Sequence, residues 1–321
     1  METYKTLLLE WSILLLVVLY IFAGDLQYYT YQSDSSAYDM WYEAYLRDAE
    51  GPADSTMDDY LANARALADP NDGQLQSALD QLEARVQELR QRAEEGGYEP
   101  WLLQQEPYRN LYGDWPQEVQ RRNATLAMIV VALCSVGLVA YERQAGVVYM
   151  LRSVKRGRRG IFRRKTVLAV LLAVAVSAIL YGHEILRFLE EYQPSVLAAP
   201  VQNLDFLQDF PLKLSISGYM ALTYGLRTCM LILTAFVAMF IGSRANRMES
   251  AYMLVLGILG VPALLLILGL DVFGWVSPAI LISTSQLLNL TASQPLAILP
   301  WILWAAAGGL AWFFSRKYWV R

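Results

Sequence analysis

The chain has 321 residues, of which 55% are hydrophobic and only 17% are charged. This composition excludes an intrinsically disordered chain and argues against an ordinary soluble domain, in which roughly 25% of residues are charged. Residues 24–122 hold twenty acidic and eight basic side chains, whereas the rest of the chain holds ten acidic and eighteen basic ones. Such a difference in charge predicts that residues 24–122 and the rest of the chain lie in different environments.

The residue types of metal and catalytic chemistry are scarce. His183 is the single histidine, and Cys134 and Cys229 are the two cysteines, whereas a structural zinc site needs about four nitrogen or sulfur ligands. Neither a G-x4-G-K-[ST] phosphate-binding loop nor a G-x-S-x-G nucleophile elbow occurs. We therefore expect a chain that is not an enzyme and that binds no metal or cofactor of its own.

Six stretches are long and apolar enough to span a bilayer, which takes about 20 residues. The first of them has a weakly charged start and no small-residue cleavage site after it, so we interpret it as a retained helix rather than a signal peptide. The predicted spans are 7–24, 123–141, 166–183, 216–242, 251–271 and 297–315.

The charges of the short loops predict the orientation of these spans. Loop 142–165 carries nine basic residues against one acid, Glu142, and the basic side chains of 243–250 and of the C-terminus agree with it. Positive loops face the cytoplasm. The prediction is an all-α membrane protein with six transmembrane helices and cytoplasmic N- and C-termini. The segments expected outside are 24–122, 184–215 and 272–296.

This topology divides the chain into three parts. Residues 1–23 form the first transmembrane helix, and residues 24–122 form a helical, coiled-coil-like extracellular domain between the first and second spans. Residues 123–321 form a five-helix transmembrane region.

The extracellular domain is expected to contain a helical hairpin. A heptad seam of apolar residues follows the turn cluster 69–73 and ends at Gly96-Gly97, and a shorter apolar stripe precedes the turn. Two uses remain open: a structural cap, or a gate or docking surface over the exit of a pathway. The seam comprises Leu75, Leu79, Leu82, Val86, Leu89 and Ala93, and the stripe comprises Met57, Leu61, Ala64 and Ala68.

The cytoplasmic loop contains a second pattern, an apolar stripe with the i, i+3, i+4, i+7 spacing of one helical face. Its basic residues lie off the stripe, and Gly157 and Gly160 are expected to break the helix before the third span. A short amphipathic helix of this kind lies on anionic lipid headgroups or docks in a groove of a partner protein; periodicity leaves both open. The stripe comprises Val147, Met150, Leu151 and Val154.

Two stretches of the sequence resemble a known family. The loop pattern E-x3-G-x4-L-x-S-x3-G-R-x6-K is similar to the cytoplasmic loop of ABC-2 type permeases, the membrane subunits of ATP-driven exporters of Gram-positive bacteria. A stretch before the fourth span resembles the outer loop of the same permeases. The first pattern is formed by Glu142, Gly146, Leu151, Ser153, Gly157, Arg158 and Lys165. The second is formed by Pro200-Val201-Gln202, Phe206, Phe210-Pro211, Lys213, Ser215-Ile216 and Tyr219.

The resemblance implies that residues 144–156 form a coupling helix that docks on a nucleotide-binding ATPase subunit. ATP and Mg would then be bound by that partner chain. The other partners implied are a second copy of the chain or a homologous permease, and membrane lipid; no nucleic acid is expected. The residues expected to couple to the ATPase are Glu142, Gly146, Val147, Met150, Leu151, Ser153, Val154, Gly157 and Arg158.

Two charged residues lie inside predicted spans, where insertion of a charge costs about 2.5–3.5 kcal/mol at the bilayer centre. Glu10 is close to the inner surface, so it snorkels to the interface or lines the pathway. Arg227 is near the middle of the fourth span, so it makes a structural ion pair or carbonyl contact or lines a translocation pathway.

The last two spans carry irregular features. Gly257, Gly260 and Pro262 weaken the fifth span and predict a kink. Residues 272–296 hold no charge and are too interrupted to span, which favours a re-entrant pair of short helices over an amphipathic loop on the membrane. The family resemblance also implies re-entrant elements here.

The function expected from these observations is that of a permease subunit of an ABC-2 type exporter in a bacterial plasma membrane. It would move a peptide, lipid or drug-like substrate with the energy of a separate ATPase. The alternative is a membrane receptor or assembly partner whose outer coiled coil binds a ligand or protein.

Overall fold

The computed structural model is mostly helical and has a single small sheet among the residues it describes. Contacts divide the chain into two compact units. The insertion unit comprises Gly24–Trp115 and Ile185–Leu222, and the span unit comprises Met1–Ala23, Pro116–Glu184 and Thr223–Arg321. The residues described are 37–69, 71–105, 108, 117–144, 146, 157–191, 194–268, 277–282 and 298–320.

The insertion unit is built around its longest helix. Its first described elements are three helices and two short strands: α1 (Ala37–Asp48), β1 (Gly51–Pro52), α2 (Ser55–Leu67), α3 (Gly73–Gly96) and β2 (Trp101–Leu102). The strands pair antiparallel, with Gly51 opposite Leu102. Helix α3 contacts both α1 and α2, so it is the centre of this unit. Three 3₁₀ turns follow in the second segment, at Pro194–Ala198, Val201–Asn203 and Asp205–Leu207.

The predicted hairpin is present as α2 and α3. Asp72 caps α3 by accepting hydrogen bonds from the backbone N–H groups of Gln74 and Leu75. The helix ends at Gly96, and Gly97 adopts the left-handed conformation with φ +63°, which glycine tolerates without a steric cost. All six residues of the heptad seam are buried. The seam therefore packs as its periodicity predicted.

Among its described residues, the span unit contains four helices that are long and apolar enough to cross a membrane: Arg121–Gln144, Arg159–Gly182, Ile216–Arg244 and Met248–Leu265. They belong to α4 (Gln117–Gln144), α5 (Gly157–Glu191), α6 (Ile216–Arg244) and the segment from α7 (Met248–Val255) to α8 (Val261–Ile267). These four correspond to the predicted second to fifth spans. The predicted first span lies outside the described residues, and the predicted sixth is the helix α10 (Leu299–Val320), which is not one of those four.

Helix α4 is the most enclosed of these helices. In its apolar window 61% of the residues are buried, against 28% for Met248–Leu265. It contacts α7, α8 and the short helix α9 (Pro278–Ile282). Helices α5, α7, α8 and α10 instead leave many large apolar side chains exposed, such as Leu171, Leu264 and Phe313. Exposed apolar faces of this extent are typical of a lipid-facing surface.

The predicted weak point of the fifth span coincides with a change of helix type. Residues Leu256–Gly260 form a π-helical segment between α7 and α8. Pro262 has no N–H to donate to the carbonyl four residues earlier, which loosens the preceding turn. Of the predicted re-entrant segment 272–296, the structure describes only 277–282. These residues form α9, which is capped by the Ser277 hydroxyl and contacts α4, α8 and α10.

The structure corrects one prediction about the basic loop. Helix α5 begins at Gly157 and continues through Gly160, so Gly160 does not interrupt it and the basic residues 158–165 are helical. Arginine and lysine are good helix formers, and their long stems carry the charge outward from an apolar helix. Helix α4 likewise continues to Gln144, which shortens the segment between the two helices to 145–156.

Helix α10 approaches α6 closely at a glycine. A Cβ built on Gly308 would lie 2.6 Å from the Leu233 Cδ2 atom and 3.2 Å from the Leu233 Cα atom, whereas a Cβ on the neighbouring Gly309 would meet nothing within 4 Å. Small residues allow helix backbones to approach in this way inside a membrane.

We expect Gly308→Ala to lower the free energy of unfolding by about 1–3 kcal/mol, because α10 must move away from α6. Gly309→Ala is the matched control and is expected to be neutral or slightly stabilising, because alanine favours the helix. Thermal unfolding of the purified chain in detergent measures both effects. Equal stability of the two variants would contradict the close approach.

Candidate functional site

The ends of the predicted coupling segment are held together by an ion pair. Glu142 is in the last turn of α4 and Lys165 is in the third turn of α5, and the Glu142 Oε2 atom lies 2.6 Å from the Lys165 Nζ atom. Lys165 also donates a hydrogen bond to the Leu138 carbonyl. The Lys165 side chain is only 8% exposed, so the carboxylate and the carbonyl replace much of its hydration. We call this pair the clamp.

The next residue along α4 ties the same end to α6. Arg143 donates hydrogen bonds to the Ser243 carbonyl and, at 3.0 Å, to the Asn246 Oδ1 atom. Ser243 lies in the last turn of α6, and Asn246 lies in the short connection to α7. Two consecutive residues at the end of α4 therefore join it to α5 on one side and to the α6–α7 connection on the other.

The family resemblance selected Glu142 and Lys165 without explaining their use. The structure shows that they contact each other although they are 23 positions apart in the sequence. Gly146 has φ +70° and its N–H bonds to the Arg143 carbonyl, which is the glycine-dependent conformation that follows a helix C-terminus. Gly157 and Arg158 are the first two residues of α5. The other predicted coupling residues, Val147, Met150, Leu151, Ser153 and Val154, lie outside the described residues, as does Glu10.

The clamp is testable by a double-mutant cycle. We expect Glu142→Gln and Lys165→Met each to lower the free energy of unfolding by about 2 kcal/mol, because each leaves the other group poorly compensated in a partly buried position. The double variant is expected to recover at least half of the summed loss. Thermal unfolding in detergent measures the cycle, and strictly additive losses would show that the two side chains do not interact.

Arg227 is the second candidate site, and it is the largest fully buried side chain of the described residues. Its guanidinium carbon lies 4.9 Å from the ring centroid of Tyr181 on α5 and 5.3 Å from that of Tyr224 on α6. The two rings also contact each other, with centroids 5.7 Å apart. An aromatic face attracts a cation most strongly where water is excluded. The two tyrosines therefore form an aromatic environment for the buried charge.

A polar contact between the same two helices lies close to Arg227 in the sequence. The hydroxyls of Ser177 on α5 and Thr228 on α6 are 2.6 Å apart, and Thr228 also donates to the Tyr224 carbonyl. The pathway interpretation of Arg227 remains a prediction. What the structure adds is that Arg227 belongs to a packed contact between α5 and α6.

A third set of polar residues, in the insertion unit, was missed by the sequence analysis. Asn203 is completely buried. Its Oδ1 atom accepts a hydrogen bond of 3.0 Å from the Trp101 N–H, and its Nδ2 atom donates to the carbonyls of Glu99 and Pro200 at 3.0 and 3.1 Å. Gln105 donates to the Asn203 carbonyl. One side chain thus fixes β2 to the first 3₁₀ turns of the second segment.

An ionic contact reinforces this connection. Arg85 and Arg92, on α3, both donate to the Asp205 Oδ1 atom, the second at 2.9 Å. Burial alone would raise the pKa of Asp205, but the two guanidinium groups outweigh it and hold the pKa below its ordinary value. The stabilisation is therefore complete above the unfolded-state pKa of about 3.9 and is lost as the pH falls through the folded-state pKa.

Part of the outer-loop pattern that resembles the permease family lies in this network. Gln202 donates to the carbonyls of Phe210 and Leu212, and Lys213 donates to the Gly97 carbonyl at 3.1 Å. Phe210 contacts Tyr219 edge to face. The signal that could have revealed Asn203 is its position directly after Pro200-Val201-Gln202, within that pattern.

In the part of the chain that the structure describes, no group of three or more His, Cys, Asp or Glu side chains is placed to hold a metal ion. Comparison of the chain with protein-family models, with curated proteins and with solved structures finds no match.

Proposed function

We propose that this chain is the transmembrane subunit of an ABC-2 type exporter, which moves a peptide, lipid or drug-like substrate across a bacterial plasma membrane. A separate ATPase subunit would bind ATP and Mg and hydrolyse the nucleotide. The clamp carries the proposal. It joins α4 and α5 at both ends of the segment 145–156, so that a force on this segment acts on two apolar helices together.

The proposed topology has six spans and cytoplasmic termini, with 24–122 outside. Three contacts within the span unit support the placement of all basic segments on the same side of the membrane. They are Glu142 with Lys165, Arg143 with Ser243, and Phe162 with Trp312. They bring the ends of α4, α6 and α10 to the start of α5. Because basic residues concentrate at all of these ends, the positive-inside rule assigns them to the cytoplasm.

Motion of the coupling segment has a direct mechanical route into the span unit. Arg143 links α4 to the α6–α7 connection, and α4 contacts α7, α8 and the π-helical segment between them. A π-helical turn is a frequent feature of helices that rearrange during function. We propose that ATP-driven closure of the ATPases shifts α4 against this fifth span and changes access from one side to the other. Two copies, or one copy and a homologous permease, would enclose the pathway.

The alternative function is that of a membrane receptor or assembly partner. The observation that favours it is the insertion unit itself, in which Asn203 and the Asp205 ion pairs join two distant segments into one compact body. Such a body offers a stable surface to a ligand or protein. In this alternative the basic end recruits a soluble partner without transport.

Co-purification with an ATPase separates these two functions. We expect the tagged chain, purified from its native membrane, to carry vanadate-sensitive ATPase activity and a subunit with a G-x4-G-K-[ST] loop. Leu151→Asp is expected to reduce that activity at least tenfold, because a charge on the apolar stripe disrupts docking. Lys155→Gln, off the stripe, is the control and should retain most of the activity.

Two outcomes would contradict the exporter. One is a purified chain without an ATPase, and the other is an equal loss in both variants, which would indicate lipid binding through charge. The topology is tested separately by labelling a Ser153→Cys variant that lacks Cys134 and Cys229. We expect protection from a membrane-impermeant maleimide in intact cells and reaction after permeabilisation.

A further inference from the structure

A seam between α5 and α10 combines basic and aromatic side chains at the basic end of the span unit. Phe162 and Trp312 join the two helices, with ring centroids 6.4 Å apart. The guanidinium carbon of Arg316 lies 5.6 Å from the Trp312 ring centroid. On α5, Arg159 lies one turn before Phe162. We call Arg159, Phe162, Arg163, Trp312 and Arg316 the basic seam.

The direction of α10 places Arg159 and Arg316 beyond the aromatic contact, at the basic end of the span unit. Gly308 contacts Leu233 in the middle of α6, whereas Trp312, one turn later, contacts Phe162 in the second turn of α5. Helix α10 therefore runs toward the basic end. Arg316, one turn beyond Trp312, and Arg159, one turn before Phe162, project past the aromatic pair at the same end.

The exposed surface changes from charged to apolar along both helices. On α5, exposed Arg159 and Arg163 are followed on one helical face by Val167 and Leu171, which are 48% and 57% exposed. On α10, Phe313 is 53% exposed and lies about one turn before the exposed Arg316. Charge at the end of a helix and apolar surface one to two turns away match the order of a phospholipid headgroup and its acyl chains.

The arginines of the seam have a charge that the described residues do not neutralise. Among the ion pairs of the described part of the chain, none involves Arg159, Arg163 or Arg316. The nearby acid Glu142 is engaged by Lys165. An anionic group is therefore the complementary partner, and guanidinium groups match phosphate oxygens well.

We propose that the basic seam is a binding site for an anionic glycerophospholipid. The phosphate is bound between Arg159 and Arg316, Arg163 supports it, and the acyl chains lie on the apolar faces that begin at Val167 and Phe313. The lipid thereby bridges α5 and α10, which are otherwise joined at this end by the Phe162–Trp312 contact. This site does not depend on transport or on an ATPase.

Native mass spectrometry of the full-length chain in detergent tests the site, with phosphatidylglycerol and phosphatidylcholine as probes. We expect phosphatidylglycerol to bind at least tenfold more tightly. Arg159→Gln and Arg316→Gln should each weaken it about fivefold, and the double variant on the order of 25-fold. Arg247→Gln, an exposed basic residue at the same end outside the seam, is the control and should retain the affinity.

The same titrations define the results that overturn the proposal. Equal binding of the two lipids, an unaffected double variant, or an equal loss in Arg247→Gln would each show that no specific site exists. Competition by inorganic phosphate as strong as by the lipid would assign the seam to a free anion instead. Because all three substituted arginines are on the surface, size-exclusion elution and thermal unfolding should match the wild type; if the double variant is misfolded, the single variants decide the outcome.

Discussion

Replacing Arg227 by alanine is expected to lower the free energy of unfolding by about 3 kcal/mol and to reduce export more than it reduces expression. The stability loss has two sources: a cavity at the α5–α6 contact, and the loss of cation–π attraction to Tyr181 and Tyr224, which is worth about 2 kcal/mol where water is excluded. Thermal unfolding in detergent measures the first effect. Survival of cells challenged with membrane-active peptides, relative to the amount of chain in the membrane, measures the second.

Matched variants separate the charge of Arg227 from its volume. Arg227→Met fills most of the space without a charge, so we expect it to avoid the cavity loss but not the cation–π loss of about 2 kcal/mol, and to reduce export. Tyr181→Phe keeps the aromatic face and should be nearly neutral, as should Thr234→Ala, a control that removes another buried polar group of α6. Equal losses of export and expression in Arg227→Ala would assign Arg227 a purely structural role.

Replacing Asn203 by alanine is expected to lower the free energy of unfolding of the insertion unit by about 3–5 kcal/mol. The substitution leaves the Trp101 N–H and the Glu99 carbonyl without the side chain that bonds them, in a position with no exposure, whereas the Pro200 carbonyl keeps its bond from the backbone N–H of residue 203. Each buried group left without a partner costs about 1–3 kcal/mol. Hydrogen exchange of 99–105 and 201–215 measures the effect, and we expect protection to fall in both segments together.

Two further variants control this experiment. Asn203→Asp keeps the acceptor for the Trp101 N–H but opposes a carboxylate to two carbonyl oxygens, so it should be at least as damaging as alanine. Gln208→Ala changes an exposed residue of the same segment and should leave the exchange unaltered. If protection falls only in 201–215 for Asn203→Ala, the side chain does not join the two segments.

The parts of the fold that the sequence predicted are those with a local periodic signal. The heptad seam of α3 and its glycine stop are both encoded by neighbouring residues, and the structure contains each of them. The apolar helices α4 to α8 were likewise visible from their length and hydropathy. Helix α1, in contrast, was missed, because its polar and tyrosine-rich sequence has no strong apolar stripe.

The candidate sites divide in the same way. Arg227 was visible because a charge inside an apolar run is conspicuous without knowledge of its neighbours, but its tyrosine environment was not. Glu142 and Lys165 were visible only through a family pattern, and the reason for them required the folded chain. Asn203 gave no signal of its own, because a single asparagine in a loop normally indicates a turn.

The sequence by itself determined that the chain has apolar helices of membrane-spanning length and an acidic insertion with a helical hairpin, because side-chain periodicity and hydropathy act over neighbouring residues. Only the tertiary structure decided that Asn203 bonds Trp101, that Glu142 clamps Lys165 and that Arg227 lies between two tyrosines. A buried polar group must be compensated by whichever group the fold brings within about 3 Å of it. Which group that is depends on the packing of helices and turns far apart in the chain, and no local pattern records it.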